Sequence, residues 1–199
     1  MDTPLTPVAR PGNWNLPNLI TIVRILLAPL FVWLLLADAG QDGALRWAAA
    51  VLFILAIATD GIDGAIARRN NQVTDLGKLL DPIAGKVLTG GALVSLSILG
   101  ELWWWVTIVI LVREIGITVF RFLMLRDRVI PASRGGKLKT VLQSVAISLA
   151  LVPLWLLLGD WIFWLNWTVM AAALVATVVT GVGYLLAARR ENRGPRAAG

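Results

Sequence analysis

Six apolar runs, at 18–37, 44–68, 78–99, 102–125, 137–158 and 161–188, take up most of this chain of 199 residues. Each is close to the roughly 20 residues that a helix needs to cross the hydrocarbon of a bilayer. Lipid offers no partner to a bare N–H or C=O, so such runs can only be satisfied as helices. Their order predicts an all-α integral membrane protein with six transmembrane helices and one membrane domain over 18–188. Composition agrees: 58% of residues are hydrophobic and 15% charged, more apolar surface than a soluble globule of this length can hide. The segment 1–17 carries Pro4, Pro7, Pro11 and Pro17 and lacks an apolar core, so it reads as a polar N-terminal segment and no cleavable signal. The stretch 189–199 is an arginine-rich tail suited to anionic lipid headgroups.

Charge sets the expected orientation. The short connections 38–43, 100–101 and 159–160 fall on one side, where Arg46 stands beside Asp38, Asp42, Glu101 and Asp160, acids with no evident role. The other side holds the longer connections 69–77 and 126–136 and both termini. It carries Arg10, Arg68, Arg69, Lys78, Arg126, Arg128, Arg134, Lys137, Lys139, Arg189, Arg190, Arg193 and Arg196. The positive-inside rule places that side in the cytoplasm, with the chain in the cell (inner) membrane. Trp33, Trp47, Trp103, Trp104, Trp105, Trp155, Trp161, Trp164 and Trp167 fall near the opposite ends of their runs, an aromatic belt of interface anchors. The formal charge of +6 is that of cytoplasmic loops and calls for membrane lipids as partners, not nucleic acid.

The chain contains no cysteine and no histidine. Thiol nucleophiles, thiolate or imidazole metal sites and imidazole acid–base chemistry are all excluded, so a general base has to be a carboxylate. Asp60 and Asp63 are i,i+3 and share a helical face. Asp81 stands at the opening of the next predicted helix, and a polar hairpin with Asn70 and Asn71 at its turn can bring the three acids together. Ionisable groups beside a membrane span mark functional sites, and an all-oxygen ligand set suits Mg2+ or Mn2+. Gly64 and Gly77 leave room for a ligand to approach, and Arg68, on the face of Gly64, offers a planar fork for a phosphate. Together these describe a site for a diphosphate or nucleotide. Asp75 reads as a turn or helix-capping residue.

Asp60-Gly61-Ile62-Asp63-Gly64-Ala65-Ile66-Ala67-Arg68, then eight residues, Gly77, three residues and Asp81 resembles the signature of the CDP-alcohol phosphatidyltransferases. The flanking segments Asn15-Leu-Pro-Asn18-Leu-Ile-Thr21-Ile-Val-Arg24, Arg113-Glu114-Ile-Gly-Ile-Thr118 and Gly136-Lys137-Leu-Lys139-Thr140 look like those of the bacterial members that make phosphatidylglycerophosphate. The resemblance covers about 15–143. It implies a six-span bundle with a cytoplasm-facing polar site. The implied reaction is attack of a glycerol 3-phosphate hydroxyl on the phosphatidyl phosphorus of CDP-diacylglycerol, releasing CMP. It also implies two divalent ions held by Asp60, Asp63 and Asp81, nucleotide or diphosphate contacts from Gly64, Ala67, Arg68 and Thr74 with Asn18 and Thr21, and a homodimer through membrane helices; the small residues Gly90, Gly91 and Ala92 are compatible with that and equally with packing inside one subunit.

One position departs from the signature. The family has a fourth aspartate, a metal ligand and proposed base, four residues after the third, and here that residue is Gly85. Glycine supplies neither ligand nor base, and loss of a general base lowers a rate by about 10²–10⁴-fold. The expectation is a retained fold and substrate site with severely reduced turnover. For the acceptor, Arg113 near mid-span with Arg121 and Lys137 toward the cytoplasmic end is expected to form a pocket for its phosphate. Arg113 should face the bundle interior, with Glu114 turned away by about 100° of helix rotation. Competing readings are a related transferase using inositol phosphate or a phospholipid as acceptor, a non-catalytic CDP-lipid-binding member, and a cation transporter lined by Asp60, Asp63 and Asp81.

Overall fold

The computed structural model describes residues 16–69, 74–124 and 134–192. Seven helices account for them: α1 Leu16–Asp38, α2 Ala44–Arg69, α3 Asp75–Ile98, α4 Trp104–Met124, α5 Arg134–Leu151, the short α6 Trp155–Leu158 and α7 Trp161–Asn192. The six predicted runs reappear as the six long helices. Two of these, over Asn18–Asp38 and Trp161–Leu186, are long and apolar enough by themselves to cross a membrane. The fifth run is not one helix. Pro153 has no N–H to give, so α5 stops at Leu151 and the chain restarts as α6. The last helix also outruns its predicted end at 188, continuing to Asn192 into the tail. Residues 1–15 and 193–199 lie outside the described residues, as do 70–73 with the proposed turn at Asn70 and Asn71.

α1 packs against α2 and α3, and α5 against α7, with α2 touching α5 and α4 touching both α3 and α7. The core is apolar and interlocked: Phe31, Leu35, Ala49, Phe53, Leu88, Leu93, Leu96, Ile110 and Ile147 are all fully buried. Phe31 and Phe53 meet with ring centroids 5.5 Å apart, joining α1 to α2. Small residues let α3 sit close to its neighbours. A Cβ on Gly91 would fall 2.9 Å from Val32 Cγ2 and one on Gly90 3.3 Å from Leu111 Cδ2, while Ala92 is wholly buried. This small-residue face, open from the sequence to a dimer or to packing inside one subunit, makes these close contacts inside the chain. The outside of the bundle is as apolar as its core, with Leu26, Val112, Leu157 and Trp164 each more than 60% exposed. Of the belt tryptophans all but Trp155 are exposed.

The end of the bundle opposite the Asp60 cluster holds a second polar centre. Arg46 is completely buried there. It pairs with Glu101 through Nη1 at 2.6 Å and Nη2 at 2.5 Å, donates to the carbonyls of Ala150 and Leu151 at 2.8 and 3.0 Å, and approaches Asp42 at 3.3 Å. The α5 carbonyls that Pro153 leaves near the helix end are met by a cation, which also suits the negative pole of the helix. Trp155 lies 5.0 Å over the same guanidinium and donates to Asp42 at 2.8 Å. Asp38 accepts from the amides of Asp42, Gly43 and Arg46 and so caps the start of α2. The acids given no role from the sequence are therefore structural, except Asp160, and Trp155 is a partner in this network more than an interface anchor.

Candidate active site

The start of α3 fixes the donor side of the site. Its N-cap is Thr74, in extended backbone, whose hydroxyl accepts from the Gly77 amide at 3.0 Å. The capping role read for Asp75 belongs to Thr74, and Asp75 is the first helical residue. Asp81 consequently sits well into α3 and not at its opening. The Asn18 side-chain amide donates to Thr74 Oγ1 at 2.8 Å, tying α1 to the entry of α3. Gly77 allows a close approach at this junction: a Cβ there would lie 2.6 Å from Asn18 Oδ1, and that side chain would have to shift. Asn18, Thr21 and Thr74 are all at least nine-tenths buried. Of these expected substrate contacts, Asn18 and Thr74 thus hold the α1–α3 corner together.

Asp60 lies on α2 and keeps 46% of its side-chain surface exposed. Its Oδ1 is paired with Nη1 of Arg24, a buried arginine on α1. That partner was missed in the sequence, where Arg24 was only one letter in a matched flank. An arginine at the middle of an apolar run needs a carboxylate, and Asp60 was in reach one helix away. Asp63, Gly64, Ala67 and Arg68 follow on α2, and Asp81 on α3; their side chains lie outside the described residues.

Asp60 opens on a cavity of about 220 Å³ lined also by Pro82, Gly85, Lys86, Thr89, Glu114, Lys139, Thr140 and Gln143. The Gly85 backbone is an ordinary helix turn whose carbonyl accepts from Thr89 at 2.7 Å. A Cβ added at Gly85 would meet nothing within 4 Å. The cavity wall therefore has open space at the position where the resemblance leads one to expect an acid.

A larger cavity, about 620 Å³, lies alongside. Pro82, Lys86, Glu114, Lys139 and Thr140 line both, so the two are lobes of one crevice. Arg113 and Lys137 line the larger lobe, with Thr180 and Tyr184 of α7. The structure brings these two residues of the expected phosphate pocket together; the side chain of the third, Arg121, lies outside the described residues. Two cations outside the expected trio line the lobe as well, Lys139 and Lys86. Glu114 is not turned away from Arg113. Arginine is long enough to fold across the 100° step, and Arg113 Nη1 reaches Glu114 Oε1 at 2.7 Å. Lys139 Nζ pairs with the same oxygen. One carboxylate thus orders two cations at the wall between the lobes.

Comparison with known proteins places this crevice in context. A family model described as CDP-alcohol phosphatidyltransferase matches residues 14–181. The chain is 45% identical over 182 residues to a protein of Mycobacterium tuberculosis (strain CDC 1551 / Oshkosh) named probable phosphatidylglycerophosphate synthase, covering 92% of this chain and 85% of the relative. It is 39% identical over 149 residues to the CDP-diacylglycerol–glycerol-3-phosphate 3-phosphatidyltransferase of Bacillus subtilis (strain 168), covering 70% and 77%. The enzyme of the same name from Rickettsia felis (strain ATCC VR-1525 / URRWXCal2) is 35% identical over 184 residues, covering 88% and 96%. With the match running from α1 into α7 and taking in all of the smaller lobe and all of the larger but Tyr184, this chain belongs to the CDP-alcohol phosphatidyltransferase family.

Proposed function

We propose that the protein is built to transfer a phosphatidyl group from CDP-diacylglycerol to glycerol 3-phosphate, giving phosphatidylglycerophosphate and CMP. The observation that carries this reading is the two-lobed crevice. One lobe holds Asp60 and position 85, the other gathers Arg113, Lys137 and Lys139, and the lobes share a wall. A phosphate-bearing acceptor in the basic lobe would meet a donor diphosphate in the lobe that Asp60 lines. The names of the relatives support both substrates. The apolar crevice between α1 and α2, lined by Leu19, Val23, Leu27, Leu52 and Leu55 with Arg24 beside it, gives the donor's acyl chain a place to lie.

The ligand chemistry fits a divalent cation. Asp60 is accessible on the crevice, and carboxylate oxygens are hard donors. Asp60, Asp63 and Asp81 would hold Mg2+ or Mn2+, two ions in the reading from the signature, and these would neutralise the diphosphate and the departing CMP. Gly64, Ala67 and Arg68 would contact the nucleotide. Arg113 and Lys137, with Arg121, would fix the acceptor's phosphate and leave its hydroxyl toward the shared wall. The acceptor hydroxyl attacks phosphorus, the bond to the CMP oxygen breaks, and the hydroxyl proton needs a base. Position 85 lines the same lobe as Asp60, where an aspartate could take that proton and a glycine cannot. Turnover of this chain is accordingly severely impaired.

All six long helices cross the inner membrane in this reading, with both termini and the crevice on the cytoplasmic side. The clustering of Lys and Arg at that end supports it. The test is incubation with labelled CDP-diacylglycerol and a panel of acceptors, with Mg2+, with Mn2+ and with a chelator, in this chain and in Gly85→Asp. We expect a labelled lipid product from glycerol 3-phosphate, metal-dependent and far faster in Gly85→Asp. Product only with inositol phosphate or a phospholipid would reassign the acceptor. No product with any acceptor in either chain would refute the reading.

A further inference from the structure

We infer that Thr180 and Gly181 of α7 are positioning residues for Arg113 and that they set how tightly the larger lobe holds a phosphate monoester. This deepens, and rests on, the reading of that lobe as the acceptor site. Arg113 comes from the middle of α4, and three groups fix its guanidinium. Nη1 donates to Glu114 at 2.7 Å. Nη2 donates to Thr180 Oγ1 at 3.0 Å. The aliphatic stem lies against bare backbone at Gly181, where a Cβ would fall 3.1 Å from Arg113 Cγ and 3.5 Å from Nε. Thr180 is itself held in one rotamer, because its hydroxyl donates back to the Ala176 carbonyl at 2.6 Å and so turns a lone pair toward the arginine. Thr180 and Tyr184 are i,i+4 on α7 and both line the lobe with Arg113.

An arginine fork binds phosphate well only when its plane is already oriented, since ordering a long side chain opposes binding. Glu114 alone cannot orient it, because that carboxylate is also shared with Lys139. The second fixed point has to come from another helix, and α7 supplies it. Without the Thr180 acceptor the fork can swing about its contact with Glu114. With a methyl at 181 the stem is displaced from α7.

The experiment is calorimetric titration of glycerol 3-phosphate into the purified full chain in detergent, which needs no turnover, with CMP titrated in parallel. Thr180→Val, close in shape but without the acceptor, should weaken glycerol 3-phosphate about tenfold, leave CMP affinity unchanged and leave the melting temperature within a few degrees. Thr180→Ser should restore affinity, which a loss of packing alone would not allow. Gly181→Ala should weaken glycerol 3-phosphate similarly, and Arg113→Ala combined with Thr180→Val should bind no more weakly than Arg113→Ala alone. Unchanged affinity in Thr180→Val while Arg113→Ala loses binding would overturn the inference and spare the acceptor reading. Unchanged affinity in Arg113→Ala would overturn both. If Thr180→Val fails to fold, failure of Thr180→Ser to bind as the parent does decides against the inference.

Discussion

At the scale of single residues, two glycines differ in their surroundings, open space at Gly85 and a close neighbour at Gly77. Nothing lies within 4 Å of a Cβ at Gly85, so larger residues fit there, and only their chemistry should matter. Gly85→Asp is expected to raise turnover by about 10²–10⁴-fold. Gly85→Ala should leave turnover where it is and raise the melting temperature slightly, since alanine favours a helix interior by about 0.5–1 kcal/mol over glycine. Equal rates for the two variants would remove position 85 from the reaction. Gly77→Ala is the opposite case. Its methyl would press on Asn18 at 2.6 Å, and overpacking of this kind lowers stability by about 1–3 kcal/mol. Thermal unfolding in detergent measures the difference. From the sequence Gly77 was expected to leave room for a ligand and Gly85 to stand where the resemblance expects an acid; the structure sets Gly77 against a close neighbour and leaves open space beside Gly85.

At the scale of elements, the break between α5 and α6 shows how a turn is held inside an apolar bundle. Pro153 ends the helix, and Arg46 from α2 takes up the carbonyls of Ala150 and Leu151 while Glu101 from the α3–α4 connection balances its charge. Removing one partner of such a buried pair leaves the other charged and desolvated. Arg46→Ala is therefore expected to lower stability by about 3–5 kcal/mol. Arg46→Lys should recover little, because an ammonium cannot serve a carboxylate and two carbonyls with a rigid fork. Urea unfolding in mixed micelles would show it, and a lysine variant as stable as the parent would contradict the account. From the sequence Arg46 was one cation against four acids on the side of the short connections. Its burial could not be read there, because its partners Glu101, Ala150 and Leu151 are 55 to 105 positions away.

At the scale of the whole molecule, orientation is open to a direct check because the chain has no cysteine. Single cysteines at Asp160 and Arg196 would each be the sole thiol. A membrane-impermeant maleimide applied to intact cells is expected to label Asp160→Cys at once and Arg196→Cys only after permeabilisation. The reverse pattern would invert the topology and place the crevice outside. The sequence alone determined the number and order of the long helices, their apolar exteriors and the sidedness expected of them. Those properties follow from local hydropathy and charge, summed residue by residue along the chain. Tertiary structure alone decided which polar groups meet. It paired Arg24 with Asp60, put Glu114 between Arg113 and Lys139, and set Asn18 against Thr74 and Arg46 beneath Trp155. Buried polar groups must find partners wherever packing brings them, and which partner is near depends on how helices distant in sequence are laid side by side.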